Sequence, residues 1–169
     1  MKNISFFIIL FSIFCQSQNN YTSAELIEKS ELQYKNQLEN SIVKNIQFVN
    51  IGPSVMSGRV TDIEVNPKNS TEFYVAYASG GLWHTINNGT TFEPIMDNSI
   101  TQNIGDFAID WESKTIFVGT GESNSSRSSY PGIGVIKSTD NGKTWQNVGL
   151  RDSHHVSRIL INPKDNQHI

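Results

Sequence analysis

The chain has 169 residues, a formal net charge of −3, one Cys, 37% hydrophobic and 17% charged residues. That length supports one modest domain with a real core. The charge balance leaves no electrostatic footprint for nucleic acid or an anionic membrane surface. The apolar content is too high for a disordered chain, and a single Cys excludes a disulfide framework and a Cys-cluster metal site.

Residues 1–18 read as a secretory signal peptide. Lys2 is followed by an apolar run over 4–14. That run is too short to cross about 30 Å of hydrocarbon as a helix, and it fits the apolar region of a leader with a basic start. Cys15 and Ser17 are small and sit two apart, so cleavage after Ser17 or Gln18 is expected, leaving a mature chain without cysteine. A buried first strand, an uncleaved anchor and a lipidated Cys15 are weaker alternatives, the last because bulky Phe14 precedes the Cys. Nothing later is apolar enough to span a membrane.

Residues 19–45 read as a partly helical lead-in. Thr22 and Glu25 have capping-box spacing. Ile27, Tyr34 and Leu38 form a thin apolar stripe, and Glu25–Lys29 and Glu31–Lys35 are i,i+4 pairs. Such a helix packs weakly and serves as a spacer.

From residue 46 the chain repeats. The strand around Ile63 recurs around Phe107 and Ile159, at steps of 44 and 52 residues. A second strand follows each of the first two, over 72–77 and 115–119. A third enters a turn, over 81–92 in one copy and 134–145 in the other, gapless at an offset of 53. A fourth strand leaves each turn through Ile95 or Val148. Pro94 lies on it, and proline belongs on an edge, so this strand should be outermost. Four antiparallel strands repeated at this period indicate propeller blades, an all-β fold. The expected architecture is a closing outer strand at 46–51, blade one at 59–96, blade two at 104–149 and a third blade beginning at 156. A β-sandwich of short strands is the rival, and it would not need the same turn in each repeat.

The turn of the second copy matches S-x-D-x-G-x-T-W through Ser138, Asp140, Gly142, Thr144 and Trp145. Asp140 can accept from backbone N–H groups of the turn, Gly142 can take positive φ, and Trp145 can bury its ring while its N–H reaches a carbonyl. Thr85, Asn87, Gly89, Thr91 and Phe92 are the degenerate counterparts, and they keep the physics.

These residues carry a resemblance. Residues 46–169 resemble Asp-box (BNR-repeat) β-propellers, more narrowly the sortilin-like and xyloglucanase-like branch found in exported bacterial proteins. Gly58-Arg59-Val60, Ala78 through Trp83, Val118 through Glu122, both boxes and His155 through Ile159 carry it. The resemblance implies that the box is structural and peripheral, and that Asp140 is a turn cap rather than a catalytic acid. It also implies more blades than two, so the expectation is the N-terminal piece of a longer protein. A short chain closing as an oligomer, like two-blade lectins, is the alternative.

Functional candidates are few. Asp62, Asp106 and Arg158 align on successive inner strands, as a polar ring able to hold a ligand or, in the favoured reading, as inter-blade ion pairs. Arg59 could bind a carboxylate bidentately or bond a loop carbonyl. The long loop 119–134 offers Glu122, Arg127 and Tyr130 as binding types. Its glycines lack the Lys-Ser/Thr of a phosphate loop. His154 and His155 are adjacent and point apart, so no metal is expected, and no cofactor. The favoured reading is an exported, non-catalytic scaffold binding protein or glycan. A glycoside hydrolase would need two carboxylates flanking a groove. Sialidase-type propellers carry an Arg-Ile-Pro motif that is missing, and the xyloglucanase-like Asp is replaced in Ala78-Ser79-Gly80-Gly81. An adhesin-like or protease-associated module is the third possibility. Partners expected are protein or glycan, further blades or oligomer partners, with no nucleic acid and no membrane span.

Overall fold

The structure, a computed structural model, describes residues 22–46, 58–124, 129–166 and 168–169. The leader at 1–18, nearly all of the closing strand at 46–51, and Arg127 lie outside the described residues.

Helix α1 spans Ala24–Glu39. Its cap is Ser23, one residue later than the capping-box spacing suggested. Ser23 is extended (φ −69°, ψ 155°), which lets its hydroxyl accept the Leu26 N–H at 3.4 Å. Glu31 and Lys35 form the expected pair at 2.9 Å. No residue of α1 is buried, and Leu26, Leu32, Tyr34 and Leu38 stay about half exposed or more. The thin stripe therefore packs as weakly as its spacing implied. The helix faces residues 97–100, Ile133, Ile136 and Trp145 across a cleft of about 530 Å³.

The remaining elements are β. The first sheet is a meander of β1 (Val60–Val65), β2 (Phe73–Tyr77), β3 (Gly81–Thr85) and β4 (Glu93–Pro94), antiparallel and in sequence order. The second repeats it with β5 (Ile104–Asp110), β6 (Thr115–Thr120), β7 (Val135–Ser138) and β8 (Gln146–Gly149). Pro94 sits on the outermost strand opposite Trp83, where its missing N–H removes no ladder bond to a further strand. Neither sheet closes on itself.

The two ladders are superimposable by register. Ile63 pairs with Val75 as Phe107 pairs with Val118, and Asp62 pairs with Ala76 as Asp106 pairs with Gly119. Both inner strands carry an irregularity at the same place, between Val60 and Asp62 and between Ile104 and Asp106. The sheets stack face to face. Tyr74, Ala76 and Leu82 of the first meet Phe107, Ile109, Ile116, Val118 and Ile136 of the second in one buried cluster. A smaller cluster on the far side of the second sheet joins Ala108, Phe117 and Val135 to Val156 and Ile159.

The segment expected to open a third blade at Val156 departs from expectation: residues 156–161 form no strand. A strand needs a laterally hydrogen-bonded neighbour, and the next pairing present is an isolated bridge, Asn162 to Asp165. The segment nevertheless buries Val156 and Ile159 against the second sheet.

Candidate functional site

The two turns are built alike. In the second, the Ser138 hydroxyl donates to Asp140 Oδ1 at 2.8 Å and accepts the Gly142 N–H at 2.9 Å. Asp140 accepts the Thr144 N–H at 2.9 Å and its hydroxyl at 2.7 Å. In the first, Thr85 donates to Asn87 at 3.0 Å and accepts from Gly89 at 3.0 Å, and Asn87 accepts the Thr91 N–H at 2.9 Å. Asn87 reverses one bond: its amide donates to Thr91 Oγ1 at 2.8 Å, where Asp140 accepts. Gly89 and Gly142 have φ of +79° and +84°. Phe92 packs edge-on to Phe73 at 5.9 Å. The Thr144 hydroxyl, then its N–H and Ser138, hold the Asp140 carboxyl down at about 2. Asp140 is ionised at neutral pH and clamps the turn, with both oxygens engaged by the loop.

The second turn also ties the sheets together. Trp145 Nε1 donates to Gly142 O at 3.0 Å and to Ile95 O of the first sheet at 3.2 Å. The Tyr74 hydroxyl of the first sheet donates to Asn141 Oδ1 at 2.5 Å.

The inner strands gather acid groups. Asp106 is buried and accepts the Ile159 N–H at 2.7 Å. Arg158 Nη1 stands 3.8 Å from it with the Arg side chain 69% exposed. Burial raises the Asp106 carboxyl against the pull of the Ile159 N–H, and the Asp62 charge adds to the rise. Glu64 is raised by burial and then by Asp62 and Asp106. Asp62 Oδ1 accepts the N–H of Ile63 at 2.9 Å. Asp62, Asp106 and Arg158 are thus brought together as aligned, but the tie from Asp106 to the following segment runs mainly through backbone. Among the described residues no group of three or more His, Cys, Asp or Glu is arranged to hold a metal.

Arg59 and Glu122 meet across the sheets. Glu122 is buried, and its Oε1 accepts no hydrogen bond; an ion pair with Arg59 Nη2 is its contact. The Glu122 N–H donates to Tyr130 O at 3.1 Å. Gly121, at φ +85°, fixes this corner, because a Cβ there would strike His154 O and Gly132 N. Tyr130 is 43% exposed beside the corner. Arg59 therefore pairs with a carboxylate of its own chain, and its side chain remains 43% exposed.

No family model matches the chain, and no curated protein does. No helix among the described residues is long and apolar enough to cross a membrane.

Sequence reasoning missed one cluster. Glu72, His84 and Lys114 converge between the sheets, beside Tyr74 and Trp111. Strand alternation alone places His84 on the Tyr74 face, since the two are ladder partners. Lys114 comes from the other repeat, and no local pattern points to it.

Proposed function

We propose that residues 46–169 are blades of an Asp-box β-propeller in an exported protein, and that they act as a non-catalytic scaffold presenting a binding edge to protein or glycan. One observation carries this reading. Ile104 N–H donates to Ala78 O at 3.1 Å, and Val156 N–H donates to Thr120 O at 3.1 Å. The segment after the second sheet thus docks on it as β5 docks on the first, which is the step that repeats around a propeller. The boxes support the structural half of the reading, because their polar atoms are consumed by their own turns. Arg59, Glu122 and Tyr130 form the binding corner. Glu122 is committed to Arg59, which suits a positioning role better than acid catalysis.

The test pairs a glycan array with nitrophenyl glycosides, both with the full chain. Binding without release of nitrophenol is expected. Release that Glu122→Gln abolishes would overturn the non-catalytic reading. Export is checked by N-terminal sequencing of secreted protein, which should begin at residue 18 or 19.

A further inference from the structure

Two nitrogen bases converge on a single oxygen in the seam between the sheets. Glu72 Oε1 lies 2.7 Å from Lys114 Nζ and 3.2 Å from His84 Nε2. Lys114 belongs to the β5–β6 turn of the second sheet, while His84 and Glu72 belong to the first. The Lys114 bond is therefore a cross-sheet tie, and the His84 bond stays within one sheet. The other carboxylate oxygen is already taken, by the Asn66 amide at 2.6 Å.

The surroundings confine both donors. The Glu72 side chain is 15% exposed and that of His84 10%. The His84 ring stacks flat on Tyr74, at 4.1 Å and 9°. Tyr74 in turn bonds Asn141 of the second sheet. Lys114 lies 4.8 Å from the Trp111 ring and holds a left-handed backbone, φ 56°. Glu93 on β4 is the other charged group acting on His84.

We propose that Glu72 Oε1 is a proton-operated switch point that exchanges its cross-sheet partner Lys114 for protonated His84 and so loosens the seam in acid. With His84 neutral, its Nε2–H donates to Glu72 and leaves Lys114 as the only cation on that oxygen. A proton added at Nδ1 makes the ring a second cation facing the same oxygen. The two cations then repel within a confined space, and Lys114, 38% exposed, is the one with a route to water. Departure of the Lys114 ammonium removes the cation–π contact with Trp111.

The directions of titration agree. Burial lowers the His84 ring below its ordinary 6.5 despite the pull of Glu72. Burial also opposes ionisation of Glu72, but hydrogen bonds from Lys114, Asn66 and His84 hold the carboxyl low. Glu72 stays ionised as the partner of the imidazolium, while His84 binds its proton more readily once the seam opens, so acid favours the open form.

Hydrogen exchange of the full chain at pH 7.5 and 5.5, corrected for the intrinsic rate, tests the switch. Amides of β3 and β5 should lose protection at pH 5.5, by up to about tenfold per pH unit below 6.5. His84→Gln should keep the same protection at both pH values, and Lys114→Met should show the low protection at both. Unchanged seam protection in the parent, or a full acid loss in His84→Gln, overturns the proposal. Should His84→Gln not fold, imidazole titration of the parent by NMR decides. A His84 midpoint below 6.5 with a concurrent shift at Lys114 supports the exchange. A midpoint at or above 6.5, or one with Lys114 unmoved, overturns it.

Discussion

Phe107 and Ile63 occupy the same ladder position in the two sheets, yet Phe107 is 1% exposed and Ile63 51%. Phe107 faces the first sheet, whereas the corresponding face of the first sheet leaves Ile63 and Val65 about half in water. Truncating Phe107 to Ala removes a ring from a packed cluster and should cost about 3–5 kcal/mol. Truncating Ile63 to Ala removes a side chain that has lost only half its contact with water, so the cost should be about 1–2 kcal/mol. The gap of about 2–3 kcal/mol is a factor of roughly 30–150 in the folded-to-unfolded ratio. Urea denaturation of each variant reads it. With m of about 1–3 kcal/mol per molar, Phe107→Ala should shift the midpoint by about 2 M and Ile63→Ala by less than about 1 M. The pair Ile109→Ala and Val65→Ala repeats the comparison, since Ile109 is 8% exposed and Val65 46%. Equal midpoint shifts within each pair would refute the reasoning, because the first sheet's outer face would then be as covered as the second sheet's inner one.

The two turn glycines should respond differently to Ala. At Gly142 a Cβ would sit 2.6 Å from Ile95 O on top of a positive φ, so Gly142→Ala should cost well over about 1 kcal/mol, whereas Gly89→Ala meets nothing closer than 3.5 Å and should cost only the backbone strain of about 1 kcal/mol. Thermal melts of the two variants rank them, and a reversed order would contradict the inter-sheet docking of the second turn. The Asp140 carboxyl is depressed to about 2 in the fold, so its charge-linked stability is present above the ordinary 3.8 and is lost only as pH falls through about 2. An NMR titration of Asp140 with a midpoint near 4 would mean the Thr144 and Ser138 bonds do not form in solution. Arg59→Met leaves the buried Glu122 without its cation and should cost about 1–3 kcal/mol, reduced from the fully buried case by the water around Arg59. Arg59→Met with Glu122→Leu should recover much of that loss, and a urea series showing no recovery would locate the effect elsewhere.

Where the chemistry repeats within a short window, the fold was legible. The gapless offset between the two turns set β3 against β7, and the alignment of Ile63 with Phe107 matches the ladder pair by pair, down to the shared irregularity before Asp62 and Asp106. Proline chemistry placed the edge strand, since a residue without an N–H tolerates only an unpaired side. Legibility fell where the deciding partner lies far along the chain. Arg59 and Glu122 were each recognised as candidates, but their pairing depends on how one sheet stacks on the next, and no spacing encodes that. The Glu72 site is the extreme case. Its residues lie at 66, 72, 84 and 114, each ordinary in its own surroundings: an Asn in a turn, an acid before a strand, a His on an alternating strand, a Lys in a hairpin. Stacking brings them together, and it also takes the His ring out of water and crowds a second cation onto one oxygen. The second sheet is thus both what buries His84 and what supplies its competitor, so any change that separates the sheets removes burial and competition together. Repetition announces the architecture of such a protein, while its titratable behaviour is written in the residues that differ between repeats: His84 stands where the second repeat has Lys137.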